Sequence, residues 1–440
     1  MLKRKFEKVL LDWKNEKEHK PLIIKGCRQC GKTYSVLDFA HKNYKNTVYV
    51  NFVENEECKK AFEGSLNVDK IVMMLTAMLG EKARFEKENT ILVLDEIQLC
   101  PSSRTALKFL KSDGRYDVIA TSSFLNYGDY VEVEPKSIPV GYESIIEMYP
   151  LSYEEFVLNS GITEEMISLL KNNLEKEEII PEALHYRMKQ LLLEYTVVGG
   201  FPEAVNDFLE NKDINRVTTI QQNIVSSFKD DMERYAPQVY KGKVTECFSS
   251  IPKQLCRENK KFQYSIVKKG SRASTYEGCL NWIEDANIIR RCYNLSFPGL
   301  PLEGNAQQDI FKVYMCDMGL LVSMLEKGTA KDILQGNLFG YKGAVFENLI
   351  ADIFSKMGRK LYYYRKDSGL EIDFVIRYKG ECTLLDIKQR NGNSKRISTI
   401  LNNPEKYHVN NAIKFGDHNI SRNGNVLMLP LYMAFLLTEY

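Results

Sequence analysis

The sequence has no long hydrophobic run and no large excess of charge of either sign. Its apolar stretch at 429–437 contains Pro430 and has about half of the length that a membrane-spanning helix needs. The first twenty residues alternate charged and apolar side chains, which excludes a secretory signal and predicts an amphipathic helix. The net charge of +2 gives no global sign of nucleic-acid binding, so such a function must depend on local patches. We expect a soluble cytoplasmic protein with no membrane segment.

The sequence also lacks a second Cys-x-x-Cys pair beside Cys27 and Cys30. The ten cysteines are otherwise scattered, so we expect reduced thiols rather than a zinc site or a disulfide framework. The chain of 440 residues is too long for one hydrophobic core and predicts about three domains.

The most specific motif is the glycine-rich loop Gly26-Cys27-Arg28-Gln29-Cys30-Gly31-Lys32-Thr33. An apolar run precedes it at 22–24, and a helix-like segment follows it at 34–43, which is the strand, loop and helix order of a phosphate-binding loop. The backbone N–H groups of such a loop surround phosphates at the positive end of the helix. Lys32 would reach the outer phosphates, and the Thr33 hydroxyl would bind Mg²⁺.

Two carboxylates follow an apolar run at 91–94, which predicts a strand buried on both faces. In a phosphate-loop enzyme Asp95 would hold Mg²⁺ through water, and Glu96 would polarise the attacking water. A further strand at 116–121 ends in hydroxyl residues, of which Ser122 or Ser123 would sense the γ-phosphate. An acidic pair that merely ends a strand and a serine-rich turn are the structural alternatives.

The next region, from about 151 to 232, has a helical pattern that starts with a capping box of Ser152 and Glu155 and is interrupted at 199–202. Helical segments at 244–258 and 271–287, followed by a β-like segment at 288–295, predict a winged helix. Its basic side chains are Lys253, Arg257, Lys260, Lys261, Lys268, Lys269 and Arg272. Such a cluster fits DNA phosphates, and a solvated charged face is the alternative.

The last region begins near 336 and brings three acids and a lysine into one pattern. Glu347 lies on an amphipathic helix at 343–354, Asp373 in a strand at 371–376, and Asp386 with Lys388 in a strand at 382–388. The x between Asp386 and Lys388 places both side chains on one face. These groups suit Mg²⁺-assisted cleavage of a phosphodiester, with the carboxylates as metal ligands and the lysine beside the attacking water. Surface charges on an exposed hairpin are the alternative.

Taken together, these motifs resemble a prokaryotic family of AAA-like P-loop ATPases that carry a C-terminal domain of unassigned function. Besides the loop at 26–33 and the acidic pair, the resemblance rests on the segments Thr121-Ser122-Ser123, Pro150 to Phe156, Gly199 to Pro202, Tyr314 to Leu320 and Phe346-Glu347-Asn348.

The resemblance implies an α/β protein with ATP and Mg²⁺ as cofactors. The implied domains are a RecA-like P-loop AAA core at 1–150, a helical lid at 151–235, a winged-helix-like domain with a linker at 236–335, and a restriction-endonuclease-like domain at 336–440. The last of these is similar to the PD-(D/E)xK nucleases. Two departures are Tyr142, where the family often has arginine, and Asp386, where the nuclease pattern often has glutamate.

The resemblance also implies an arginine finger, for which Arg104, Arg115, Arg187 and Arg234 are candidates, and a homo-oligomer in which a neighbour completes the site. The main prediction is an ATPase that acts on nucleic acid through its nuclease-like domain. One alternative is a nucleotide-dependent switch or scaffold whose nuclease-like domain only binds DNA or a partner. A kinase-type phosphate transferase is a third reading, which the acidic strand end at Asp95 and Glu96 disfavours.

Overall fold

A parallel sheet of five strands forms the first part of the computed structural model, which describes residues 2–123, 141–337, 342–387 and 395–438. Its strands are β1 (Leu22–Lys25), β2 (Asn46–Asn51), β3 (Thr90–Asp95), β4 (Asp117–Ser122) and β5 (Ser144–Glu147). They lie in the order β2-β3-β4-β1-β5. Every residue of β3 is buried, as the apolar run predicts. The strand predicted at 116–121 is β4, and it lies between β1 and β3.

Helices cover both faces of this sheet, and they are α1 (Phe6–Asn15), α2 (Lys32–Asn43), α3 (Val68–Leu79) and α4 (Pro101–Asp113). Successive residues of a strand point to opposite faces. Ile24 of β1 therefore joins a buried cluster with Val36 of α2, whereas Ile23 joins another with Leu75 of α3 and Leu107 of α4. The predicted amphipathic helix near the N-terminus is α1, which buries its apolar side.

The second part is helical and contains α5 (Tyr153–Asn159), α6 (Glu164–Lys176), α7 (Glu182–Val198), α8 (Pro202–Asn211) and α9 (Ile214–Tyr235). The predicted capping box is present, because the Ser152 side chain accepts from the Glu155 backbone N–H and the Glu155 side chain accepts from that of Ser152. Gly199 and Gly200 separate α7 from α8, as the interruption in the helical pattern predicts.

The third part contains α10 (Lys243–Leu255), α11 (Tyr264–Val267), α12 (Ala273–Asp285), the antiparallel strands β6 (Ile289–Leu295) and β7 (Ala306–Met315), and then α13 (Met318–Ser323) and α14 (Thr329–Leu334). Three helices followed by a hairpin give the element order of a winged helix. The winged helix itself stays a prediction.

The last part contains α15 (Lys342–Lys356), β8 (Leu361–Arg365), β9 (Glu371–Ile372), β10 (Phe374–Tyr378), β11 (Glu381–Ile387), α16 (Lys395–Leu401), α17 (Pro404–Tyr407), β12 (Asn411–Gly416), β13 (Ser421–Asn423) and β14 (Val426–Pro430). One mixed sheet has the order β10-β11-β12-β14-β13, and a second has the order β7-β6-β8-β9. The second sheet joins strands from both sides of the predicted domain boundary near 336.

The strand predicted at 371–376 is divided in two at Asp373. β9 pairs with β8 in the four-stranded sheet, whereas β10 pairs with β11 in the five-stranded sheet. The chain thus passes from one sheet to the other at Asp373, and the prediction of one continuous strand is wrong. An alternating pattern predicts which face of a strand is buried. It does not predict that the two halves of the segment belong to different sheets.

A buried polar network connects the helical part with the last part. The Asp317 carboxylate, two residues after the end of β7, accepts from the Gly200 N–H at 2.7 Å and from the Lys356 ammonium at 3.1 Å. Lys356 also contacts Asp352 at 2.8 Å, and the Tyr195 hydroxyl donates to Asp352 at 2.8 Å. Burial and the repulsion of Asp317 raise the pKa of Asp352 to about 7, although the Lys356 ammonium lowers it.

In the described ranges, no helix has the length and apolar character needed to cross a membrane.

Candidate functional site

The glycine-rich loop follows β1 directly and leads into α2, which begins at Lys32. Gly31 precedes the helix with φ of +98°, a conformation that side chains rarely adopt. A Cβ atom on Gly26 would lie 2.2 Å from the carbonyl oxygen of Met148, so glycine is required there by close packing. The Lys32 ammonium donates to the carbonyl oxygens of Gly26 and Cys27, each at 2.9 Å. The Lys32 ammonium therefore lies against the loop's own carbonyl oxygens, at the start of a helix whose N-terminus favours anions.

Asp95, at the end of β3, lies beside the loop as predicted. The Thr33 hydroxyl donates to the Asp95 carboxylate at 3.0 Å, and the Tyr49 hydroxyl donates to it at 2.8 Å. Thr121, at the end of β4, also donates to this carboxylate. A hydroxyl and a carboxylate in contact are the hard oxygen donors that Mg²⁺ prefers, so Thr33 and Asp95 fit the metal of a nucleotide site.

Glu96 follows Asp95 in a left-handed conformation with φ of +56°, which is uncommon for a residue other than glycine. Its carboxylate accepts from the Ser123 hydroxyl at 3.0 Å and from the Gln98 amide at 2.5 Å. Ser123 also accepts from the Lys32 ammonium at 3.3 Å. The turn thus directs Glu96 towards the lysine of the loop, in the position of a residue that orients water.

Of the two serines that the sequence offers for sensing the γ-phosphate, Ser123 contacts Glu96 and Lys32. The Ser122 hydroxyl instead donates to the Gln98 side chain at 2.8 Å, and Ser122 is fully buried. Adjacent residues point in opposite directions at a strand end, so only one of the two can reach Lys32 and Glu96. Gln98 was not predicted, although its position two residues after an acidic strand end was visible in the sequence.

The four candidate arginine fingers point to other partners. Arg104 pairs with Glu143 at 2.5 Å, Arg115 with Asp113 at 2.7 Å, and Arg187 with Glu194 at 3.5 Å. The Arg234 guanidinium lies over the ring of Tyr235.

Cys27 and Cys30 are free thiols, like the other cysteines of the described ranges. The hydrogen bond with Cys27 and burial raise the pKa of Cys30, which keeps this thiol protonated. Within the same ranges, no group of three or more His, Cys, Asp or Glu side chains is placed to hold a metal ion.

A second polar cluster surrounds Glu347 on α15, which is 7% exposed. Its carboxylate accepts from the ammonium groups of Lys260 and Lys312, the latter at 3.1 Å, and from the Tyr314 hydroxyl at 3.0 Å. Lys312 also contacts Glu371 at 2.8 Å. None of these partners was predicted, because they come from segments distant in the sequence.

Asp373 and Asp386 lie next to each other, as predicted. The register pairs Phe374 with Leu385, which places the two aspartates at the following cross-strand position. Asp373 accepts from the Ile387 N–H at 2.8 Å. Burial, together with the charges of Glu347 and Asp386, raises the pKa of Asp373 to about 7. The three predicted acids are therefore neighbours, while Lys388 lies outside the described residues.

Comparison with protein families gives three matches along the chain. The family described as "AAA domain" matches residues 18–157. Two families described as domains of unknown function match residues 189–331 (DUF8612) and residues 342–433 (DUF4143). A search of the curated proteins finds no match.

The search of solved structures finds chains that are distant in sequence. A Walker-type ATPase of Pyrococcus abyssi is 12% identical with a TM-score of 0.44, over 74% of this chain and 96% of that one. The Aeropyrum pernix ORC1 protein, solved in complex with DNA, is 12% identical with a TM-score of 0.27, over 77% and 92%. AMPPCP-bound DnaA from Aquifex aeolicus is 13% identical with a TM-score of 0.29, over 64% and 87%.

The family match over residues 18–157 agrees with the parallel sheet and with the loop geometry. Residues 18–157 are therefore similar to an AAA domain and have the sheet of a P-loop ATPase fold.

Proposed function

We propose that this protein hydrolyses ATP and acts on nucleic acid, with a C-terminal domain of nuclease-like character. The observation that carries the first half is the convergence of Lys32, Thr33, Asp95 and Glu96 at one edge of the parallel sheet. Each of these groups has a distinct role in phosphoryl transfer, and all four already lie close together.

The contacts suggest which role each residue has in ATP hydrolysis. Backbone N–H groups of the loop and the Lys32 ammonium bind the phosphates and neutralise charge that develops during transfer. Thr33 and Asp95 would hold Mg²⁺, which would neutralise charge on the outer phosphates. Ser123 and Gln98 fix the Glu96 carboxylate, which accepts a proton from the attacking water.

The second half of the proposal is supported by cations that precede α12. Lys268, Lys269 and Arg272 are exposed in the short segment that leads into this helix. Lys260, in contrast, is bonded to Glu347 and is not part of an open basic surface. Two other members of the predicted cluster are exposed near the end of α10, Lys253 and Arg257. At the start of α12, phosphates of a duplex would find both side-chain and helix-terminal charge.

We expect the triple variant Lys268→Ala, Lys269→Ala, Arg272→Ala to bind duplex DNA about tenfold or more weakly than the wild type at moderate salt. Each lost phosphate contact also removes about one unit from the slope of log affinity against log salt concentration. Fluorescence anisotropy of a labelled duplex at several salt concentrations measures both quantities.

The matched control removes three exposed lysines from other parts of the chain, Lys82, Lys171 and Lys176, and so has the same net charge. Equal loss of DNA affinity in both triple variants would show that only the total charge matters. It would contradict a DNA surface at α12.

A second candidate function is the nucleotide-dependent scaffold, in which the nuclease-like domain has no chemistry. Its support is that Glu347 is already neutralised by Lys260 and Lys312, two ammonium groups in the place where a nuclease needs a cation. The oligomeric state, which a neighbour's arginine would require, stays a prediction in both cases.

Cleavage assays separate the two candidates. If the domain is a nuclease, the wild type cleaves linear or branched DNA with Mg²⁺ or Mn²⁺, and Asp373→Ala loses about 10³-fold or more of that rate because a metal ligand is missing. Asp367→Ala, an exposed aspartate of the same domain, serves as the control. Cleavage that persists equally in Asp373→Ala would refute the nuclease assignment, and a wild type that cleaves neither DNA nor RNA while it hydrolyses ATP would favour the scaffold.

A further inference from the structure

The phosphate-binding loop carries an arginine, Arg28, between its two glycines. Its guanidinium Nη1 donates to the carboxylate of Asp231, which lies near the end of α9 in the helical part. The Arg28 side chain is 39% exposed and that of Asp231 is 20% exposed, so the pair is accessible to a small ligand. This ion pair is a direct contact between the loop and α9.

Arg28 and Glu96 line the same cavity, which has a volume of about 50 Å³. Ser123 forms part of the wall on the side of the sheet, and Asp231 forms part of it on the helical side. Apolar side chains complete the helical wall, among them Phe228, Tyr235 and Trp282. A space of this size between a water-orienting carboxylate and an arginine is where a terminal phosphate and its attacking water would meet.

The electrostatics of the cavity explain why Arg28 would exchange partners. Burial raises the pKa of Asp231, and the charge of Glu96 raises it further while Arg28 lowers it. The Asp231 carboxylate is therefore attracted by Arg28 and repelled by Glu96 and Asp230. A phosphate that enters this space adds negative charge, which repels Asp231 and offers Arg28 a bidentate acceptor.

We propose that Arg28 is the arginine that stabilises the transferred phosphoryl group from within the same chain, and that Asp231 restrains it until ATP binds. The proposal rests on the proposed ATP hydrolysis at this site. It differs from the family expectation, because the arginine comes from the loop itself and not from a neighbouring subunit.

The proposed reaction is the hydrolysis of ATP by water. The oxygen of water forms a bond to the γ-phosphorus, and its proton passes to the Glu96 carboxylate. The bond between the γ-phosphorus and the bridging oxygen breaks, and its electron pair stays on ADP. Arg28 and Lys32 stabilise the charge that collects on the γ-oxygens and the bridging oxygen.

The first experiment compares ATP turnover by the wild type and Arg28→Ala. We expect kcat to fall about 10³-fold, with KM for ATP changed only slightly, because the side chain acts in the transition state. Binding of ADP with aluminium fluoride, which imitates the transferred group, should be lost in Arg28→Ala while binding of a non-hydrolysable ATP analogue is retained. A purely structural role would not separate these two ligands.

The second experiment removes the charge of Asp231 that holds Arg28. Asp231→Asn should raise kcat/KM for ATP several-fold, because the phosphate no longer competes with a carboxylate, whereas Asp230→Asn, the exposed neighbour, should leave it unchanged. Turnover by Arg28→Ala at the wild-type rate would overturn the proposal, and so would Asp231→Asn turnover at or below that rate. A wild type that binds ATP without hydrolysing it would instead refute the proposed function, and this inference with it.

Discussion

Lys32→Ala is expected to abolish ATP turnover, and Glu96→Gln is expected to leave ATP bound but not hydrolysed. Lys32 is 5% exposed, and its ammonium group lies inside the loop with three oxygen partners. Its removal takes away the charge that faces the outer phosphates, which reduces both nucleotide affinity and the rate. Glu96→Gln keeps the shape and removes only the proton acceptor, so we expect a loss of about 10³-fold in kcat with affinity preserved.

Two measurements separate these effects. Phosphate release reports turnover, and titration with a fluorescent ATP analogue reports affinity. Lys25→Ala is a matched control, because Lys25 ends β1 immediately before the loop and contacts Glu147 at 3.7 Å instead of the site. Undiminished turnover in Lys32→Ala would contradict the assignment of this loop, and loss of nucleotide binding in Glu96→Gln would contradict a role confined to hydrolysis.

The nucleotide site was largely predictable because it is local in sequence. The loop, β3 and the end of β4 each carry their chemistry at a strand end, and parallel strands bring their carboxyl ends to one edge of a sheet. The contacts of Thr33 and Glu96 follow from that arrangement. The sequence leaves Ser122 and Ser123 as alternatives, since the choice between them depends on how the chain turns after its last strand residue.

The C-terminal cluster was predictable only in part, because its charge balance comes from distant segments. Asp373 and Asp386 lie side by side as predicted, and Glu347 lies on the predicted helix. Lys260 and Lys312 arrive from the loop before α11 and from β7. Burial of an ion pair requires both partners in one geometry, and a single sequence read in order does not reveal such a partner.

Contacts in the structure give a physical reason for several segments that carry the family resemblance. Gly199 and Gly200, Asp317 and Asn348 are far apart in sequence, yet they meet at the junction of the helical part with the last part. Asp317 accepts from the Gly200 N–H, and Asn348 accepts from the Met315 N–H two residues before Asp317. These three segments therefore pack against one another at one junction. None of these contacts belongs to the nucleotide site.

The largest effect on folding is expected from Gly199→Ala at this junction. Gly199 has φ of +69° and ψ of −158°, a conformation essentially restricted to glycine. An added Cβ would lie 2.1 Å from Asp317 Oδ1 and 2.8 Å from the backbone nitrogen of Gly319. Asp317 cannot move aside without breaking its buried contacts with Gly200 and Lys356. Strain and lost hydrogen bonds together should cost about 4 kcal/mol or more.

Gly114→Ala provides the matched control for this effect. Gly114 also has positive φ, +70°, but its nearest neighbour to an added Cβ is the Lys111 carbonyl oxygen at 3.9 Å. Only the backbone penalty of about 1–2 kcal/mol applies there. Soluble yield and the midpoint of thermal unfolding, followed by circular dichroism, compare the two variants. Equal thermal midpoints of the two variants would show that the junction accommodates an added methyl group. The three segments would then not form a rigid contact.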